Sequence, residues 1–166
     1  MPNDRLPSNP YALAKVAAAA ILERFEIPHL DTAFVLGSGW SAAANDLGQP
    51  MGSCELAELS GFAQPTVIGH GGALRIASTT TGKITAILTG RTHLYEGQGA
   101  AQVVHGVRAA ICAGARVIVL TNGAGGLNPD WPPGSTVLIR DHINLTGSSP
   151  LVGARFIDMS MAYSRR

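Results

Sequence analysis

The sequence predicts an α/β layered domain. Short apolar runs that read as buried strands alternate with segments of helical period, the connections are short, and three of the runs end in glycine-rich loops. Asn9 and Pro10 have the character of an N-cap and a first helical residue, and Leu13, Val16, Ala17, Ala20 and Ile21 then recur at helical spacing. This predicts an opening amphipathic helix, closed by Pro28 and preceded by a flexible N-terminus over residues 1–9. Ala33 to Leu36 reads as a buried strand delivering the tight turn Gly37-Ser38-Gly39, and Ser41 to Leu47 as a short helix stopped by Gly48.

Between residues 49 and 72 the repeated Pro and Gly predict irregular structure. Leu74 to Ala77 and Ile84 to Leu88 read as strands joined by a turn at Gly82-Lys83, and the second runs into Gly90-Arg91-Thr92-His93-Leu94-Tyr95-Glu96-Gly97. From Gln102 to Ala113 the period is helical, with Val103, Val104, Val107, Ala110 and Ile111 on the predicted apolar face and Gln102, His105 and Arg108 opposite. Gly114 stops that helix. Val117 to Leu120 is the clearest candidate for a buried strand, and Thr136 to Ile139 reads as one more, ahead of Asp141-His142-Ile143-Asn144.

Composition excludes several classes. The 166 residues are 46% hydrophobic and 14% charged, too apolar for disorder, and 12 Lys and Arg against 11 Asp and Glu leave no basic field for nucleic acid. With 24 alanines and 20 glycines the chain is suited to close backbone packing. The apolar run Val16 to Leu22 is followed at once by charged residues with no cleavage site, and no stretch approaches the ~18 apolar residues of a membrane span. Cys54 and Cys112 read as small buried hydrophobes, which suits a reducing, cytoplasmic compartment.

In open α/β sheets ligands sit beyond the carboxyl ends of strands, so the loops there are where chemistry is expected. Gly37-Ser38-Gly39 offers accessible N–H groups and a hydroxyl. In an extended segment Arg91, His93 and Tyr95 would project to one face, placing a fork for phosphate, an imidazole donor and an aromatic cover for a sugar side by side, with Glu96 to orient the His or balance the Arg. Gly69-His70-Gly71-Gly72 and Asn122 to Gly126 add a histidine and further amides. The histidines lack zinc-helix spacing, no G-x-S-x-G surrounds a serine, and no G-K-[ST] completes a triphosphate loop. Gly37 to Ala42 does match G-x-G-x-x-A, with Glu55 and Glu58 about 20 residues on, which keeps a dinucleotide-binding module as an alternative.

Taken in order, Gly37-Ser38-Gly39-Trp40, the Gly69 to Gly72 loop, Gly90 to Gly97, Thr121-Asn122-Gly123-Ala124-Gly125-Gly126-Leu127 and Asp141 to Leu145 resemble the loops of the trimeric purine nucleoside phosphorylases. Ser149-Pro150-Leu151, Phe156 and Ala162-Tyr163-Ser164 continue the similarity. The resemblance implies a central mixed β-sheet flanked by helices and a pentosyl transfer: a purine (deoxy)nucleoside and inorganic phosphate give free base and (deoxy)ribose 1-phosphate. It implies no metal or organic cofactor and a homotrimer. Carried over by position, it assigns phosphate to Ser38, His70, Arg91, Thr92, His93 and the Gly123 amide, catalysis to Arg91 and His93, and ribose to Tyr95 and Phe156, the latter in a neighbouring subunit's pocket.

The family's Gly-Pro-x-Tyr-Glu-Thr segment, whose Glu binds the purine, its Met-Ser pair and its base-stabilising Asn have no counterpart among the 166 residues. The resemblance puts the purine contacts beyond Arg166 and names none before it. It is therefore a resemblance to the N-terminal, phosphate-binding part of one domain, incomplete at its C-terminus and with an unpaired apolar sheet edge expected there. Three readings stand beside phosphorolysis: a noncatalytic fragment that retains a phosphate or subunit-contact surface, a methylthioadenosine phosphorylase, and the dinucleotide module.

Overall fold

In the computed structural model, which describes residues 8–63 and 72–152, five strands and three helices follow one another as α1 (Pro10–Arg24), β1 (Thr32–Val35), β2 (Gln49–Glu55), β3 (Ala73–Ser78), β4 (Ile84–Leu88), α2 (Gly99–Val103), α3 (His105–Cys112) and β5 (Val117–Leu120). Of the N-terminus expected to be flexible, residues 1–7 lie outside the described residues. Asn9 caps α1 as its context predicts, accepting from the Tyr11 and Ala12 amides at 2.8 and 3.2 Å. The strands form one mixed sheet in the order β2-β3-β4-β1-β5. β1 runs parallel to β4 and to β5, with Ala33 level with Ala86 and Ile118, whereas β3 is antiparallel to its two neighbours, β2 and β4. Carboxyl ends of β1, β4 and β5 consequently share one edge of the sheet.

Both faces of the sheet are covered. On one, Ala17, Ala18 and Ile21 of α1 and Ala109 and Ala110 of α3 pack over Ala33, Val35, Leu74, Ile76, Ala86 and Leu88. On the other, Leu36, Ala44, Ala77 and Ile87 form a smaller cluster with Phe34, Trp40 and Leu47. α1 packs directly on α3. Small side chains allow that approach, and this decides which face of α1 is buried: Ala14, Ala17, Ala18 and Ile21, one position round from the expected stripe, with Val16 left 37% exposed.

Four further expectations are corrected. The helix expected over Gln102 to Ala113 begins at Gly99 and is broken at Val104 into α2 and α3, and α3 buries His105 and Arg108 from the face expected to be polar beside Ala110 from the apolar one. His105 and Arg108 are buried because each finds a carbonyl: His105 Nε2 lies 3.0 Å from Ser60 O, and Arg108 Nη2 donates to Pro150 O at 2.6 Å, so Ile111 is the residue turned out. Burial and, to a lesser degree, the Arg108 charge push the His105 imidazole down, opposed by the Ser60 carbonyl.

Residues 49–55, expected to be irregular, form β2; it is an edge strand, where Pro50 is tolerated, with a register shift between Pro50 and Gly52. A Cβ at Gly52 would stand 3.0 Å from the Phe25 ring, so this glycine lets α1's end lie on the strand. β5, expected to be buried, is an edge strand among the described residues, with Val117 54% and Leu120 64% exposed. Thr136 to Ile139 is not a strand, since it pairs with nothing among the described residues and is exposed throughout. Cys54 is buried as expected and Cys112 half-buried.

At the edge opposite the glycine loops, Asp31 binds three strands together. Its amide donates to Ile84 O at 2.8 Å, its carbonyl accepts from Arg116 N at 3.0 Å, and its carboxylate accepts from Ile84 N at 2.9 Å and Lys83 Nζ at 3.0 Å. The Ile84 amide, then Lys83, holds this carboxyl below the ordinary carboxylate range. Such a group stabilises fully above its unfolded pKa and loses its contribution as pH falls through the lowered folded value. Asp31→Asn is thus expected to lower the urea midpoint at pH 6, and the gap from wild type should narrow as the pH falls below the ordinary carboxylate range. For the helix and sheet packing, Ile76→Ala should cost about 2–5 kcal/mol in urea unfolding and Val16→Ala less than about 0.5 kcal/mol. Equal losses would restore the originally expected face of α1.

Candidate functional site

The carboxyl ends of β1 and β5 are tied by one hydroxyl. Thr121 Oγ1 accepts from the Gly37 amide at 2.9 Å and donates to Val35 O at 3.2 Å, and the Thr121 amide reaches the same carbonyl at 3.0 Å. Trp40 Nε1 donates to Asn122 O at 3.2 Å, so the loops after β1 and β5 are fastened twice. A Cβ at Gly37 would fall 2.4 Å from Thr121 O, 2.8 Å from Arg91 Nη1 and 3.0 Å from the Asn122 Cα. Gly37 is therefore glycine because two backbones and a guanidinium converge on it. Arg91 reaches there from the loop after β4, and Gly123 stands beside Ser38, its Cβ position 3.4 Å from Ser38 O.

This brings Ser38, Arg91 and Gly123 together from three loops, as their place after three parallel strands leads one to expect. Ser38 and Gly123 are exposed and Arg91 half-buried, so a permanent cation, a hydroxyl and free-standing amides border an open site. Thr92 is half-buried on the same loop. His70 and Phe156 lie outside the described residues, as does Arg166, beyond which the purine contacts are expected. Gly72, two residues after His70, packs on Gly90, one residue before Arg91: a Cβ on Gly90 would stand 2.6 Å from the Gly72 Cα.

The loop after β4 is not extended over its whole length. Leu94–Glu96 is a 3-10 turn, so Arg91, His93 and Tyr95 do not alternate along a strand. Arg91 turns to Gly37, while His93 folds onto its own turn. One oxygen of Glu96, Oε1, accepts from the His93 amide at 2.8 Å and lies 2.8 Å from His93 Nδ1. The Tyr95 ring stacks on the imidazole, centroids 4.8 Å apart and 14° from parallel, and is 84% exposed. Of the two uses foreseen for Glu96, it orients the histidine. The His93 amide first, then its ring, holds the Glu96 carboxyl below the ordinary range.

Sequence reasoning missed Thr121 and the Trp40 indole. Their signal was positional: a hydroxyl at the end of one parallel strand beside the glycine turn at the end of the next. It also missed Gln102 and His105, which meet the successive carbonyls of Gly61 and Ser60 at 2.7 and 3.0 Å and fix the chain just before residue 64. Gly37 to Ala42 does not open a dinucleotide unit. The five-residue 3-10 helix Ser41–Asn45 follows and leads into antiparallel β2, and Glu58 is engaged by Arg24 at 2.5 Å. Among the described residues no three His, Cys, Asp or Glu could hold a metal ion together, and no helix is long and apolar enough to cross a membrane.

Comparison with known families matches residues 31–166 to the phosphorylase superfamily. The chain is 49% identical over 158 residues to a purine nucleoside phosphorylase of Mycobacterium tuberculosis, covering 95% of this chain and 59% of the relative. It is 43% identical over 169 residues to one of Cellulomonas sp, covering 99% of this chain and 60% of the relative. Among solved structures, isoform 2 of the Schistosoma mansoni purine nucleoside phosphorylase, in complex with cytosine and ribose-1-phosphate, superposes with a TM-score of 0.76 at 31% identity, over 93% of this chain and 57% of that one. The chain spans about 60% of the length of the curated relatives it matches.

Because Gly37 has no room for a side chain and Gly123 has, Gly37→Ala should destabilise by about 1–3 kcal/mol in denaturant unfolding. Gly123→Ala, with only ordinary contacts to Ser38, should stay within about 0.5 kcal/mol of wild type. Equal costs at both positions would contradict the close approach at Gly37.

Proposed function

The chain belongs to the phosphorylase superfamily, and from that premise we propose that its three carboxyl-end loops form the phosphate-binding half of a purine nucleoside phosphorolysis site. The observation that carries this reading is the convergence at Gly37, where Arg91 Nη1, the Thr121–Asn122 backbone and the Ser38 loop meet at the ends of three parallel strands. A bidentate guanidinium, a hydroxyl and unhindered amides suit a tetrahedral dianion. Phosphate is assigned to Ser38, His70, Arg91, Thr92, His93 and the Gly123 amide. Tyr95, whose outer ring face is bare, and Phe156 are assigned to the ribose. A homotrimer in which Phe156 enters a neighbour's sugar pocket belongs to the same proposal, and no residue up to Arg166 is assigned to the purine.

In the reaction a phosphate oxygen bonds to the anomeric carbon as the glycosidic C–N bond breaks. The bonding pair leaves with the base, which gains a proton, and the products are free purine and ribose 1-phosphate. The transition state carries positive charge on the sugar and negative charge on the departing base. Phosphate fixed beneath the anomeric carbon stabilises the first while attacking it, so Arg91 and the loop amides act by positioning and electrostatics. Ser38, Arg91 and Gly123 sit on loops clamped by Thr121 and Trp40, which limits reorganisation when the anion arrives.

Inorganic phosphate at 100 times its Kd should stabilise the wild-type chain by about 2.7 kcal/mol, read as a rise in Tm, and Arg91→Ala should abolish that rise. Hypoxanthine release from inosine, assayed with and without phosphate on the same preparations, separates binding from turnover. Phosphate-dependent release that is lost in Arg91→Ala and His93→Ala would place the whole phosphorolysis in these 166 residues. Stabilisation without release would confine them to the anion-binding half, and no stabilisation of folded wild type would sink the proposal.

A further inference from the structure

We infer that Trp40 is a positioning residue of the anion site: its indole holds the Asn122–Gly123 peptide in the orientation that offers the Gly123 N–H, and not the Asn122 carbonyl, to an oxyanion. The inference rests on the phosphate-site reading above and deepens it. Trp40 Nε1 donates to Asn122 O at 3.2 Å. The peptide carrying that carbonyl is trans and planar, so its N–H, which belongs to Gly123, points the opposite way, away from the indole. This N–H has no hydrogen-bond partner among the described residues. Gly123 is exposed and its Cβ position lies 3.4 Å from Ser38 O, while the Asn122 Cα borders Gly37 together with Arg91 Nη1. An uncommitted donor thus stands at the cluster itself, one peptide from the indole.

The indole is a fixed point. Trp40 packs against the cluster of Leu36, Ala44, Ala77 and Ile87. Its amide donates to Gly37 O and its carbonyl accepts from the Ala43 amide, each at 3.0 Å.

The peptide it holds is one that needs holding. Rotation about the two single bonds flanking a peptide exchanges its carbonyl and N–H while the neighbouring Cα atoms stay nearly in place, and a glycine on the far side offers no Cβ to resist. After such a flip the Asn122 carbonyl would occupy the direction of the Gly123 N–H, setting an acceptor against the anion. The Gly123 N–H would then face the indole N–H, donor against donor. Because an indole only donates, Trp40 stabilises the first orientation and penalises the second.

The test is a double-mutant cycle at positions 40 and 123, read by calorimetric titration of the 166-residue chain with inorganic phosphate. Trp40→Phe keeps a ring against the Leu36 cluster and removes the donor, and should weaken phosphate about five- to tenfold. Gly123 has a φ outside the left-handed region, and a flip turns that φ by roughly half a turn, toward values that glycine enters and alanine resists. Gly123→Ala should therefore hold the peptide without help from the indole. In that background the same Trp40→Phe change should cost less than about twofold, whereas a ring that merely packs would cost the same in both. If Trp40→Phe does not fold, benzothienylalanine at position 40, which puts sulfur in place of the N–H at nearly the same shape, carries the cycle instead. A penalty at least as large in the Gly123→Ala background, or no penalty in the wild-type one, overturns the inference and leaves the phosphate site standing. Failure of folded wild type to bind phosphate overturns both.

Discussion

Everything at the open edge of the sheet depends on the missing side chain of Gly37. The residue ends a strand whose neighbours on both sides run parallel to it, so three chains leave the sheet at one level and must diverge or collide. At Gly37 they stay together: Thr121 O, the Asn122 Cα and the Arg91 guanidinium all enter the space a methyl group would take. The Thr121 hydroxyl then satisfies the Gly37 amide, which would otherwise be left without a backbone partner at the strand end. Gly90 against Gly72 repeats the device one strand over. Bare backbone at these contacts lets the loops after β1 and β5 close on each other and brings a permanent cation between them.

Such precision at one end of the strands requires that they not slide, and the opposite end supplies the restraint. Asp31 uses its amide, its carbonyl and both carboxylate oxygens to hold β1 to β4 and to the residue leading into β5. Between the two ends the core is thin and small-residue rich. Ala17 and Ala18 of α1 and Ala109 and Ala110 of α3 share one cluster over the sheet, and this lets the crossover from β4 to β5 lie close. The alanine and glycine content noted in the sequence thus has two uses: alanine brings helices together, and glycine brings loops together.

Where the sequence failed as a guide, a tertiary contact had overridden a local rule. Strand runs at 33–36, 74–77, 84–88 and 117–120 were readable because short apolar stretches, continuous at 33–36 and 117–120 and interrupted only by Arg75 and Thr85 in the other two, stand between turn residues. β2 was hidden because Pro50 and Gly52 are breakers in isolation, yet an edge strand tolerates the first and the Phe25 ring requires the second. In the helix expected over Gln102 to Ala113, Ala110 and Val107 face the core as read, but His105 and Arg108 were placed in water because hydropathy assigns His and Arg there. The carbonyls of Ser60 and Pro150, 45 and 42 residues away, are what bury His105 and Arg108. At the site, the loop identities followed from strand-end glycines, whereas the split between Arg91 and His93 did not. It arises from a three-residue turn whose only local sign is Glu96 three positions after His93.

That split has an electrostatic consequence. The Gly90 to Gly97 loop carries two basic side chains and one acid, and the acid is spent on the histidine. Had Glu96 paired with Arg91, the permanent charge beside Gly37 would be neutralised. With Glu96 on His93 the guanidinium held by the Gly37 contact keeps its charge at the strand ends, while amide and ring contacts to a single carboxylate oxygen keep His93 on its own turn. One loop thus sends its two basic side chains to different places, and the acid three positions after the histidine decides which goes where.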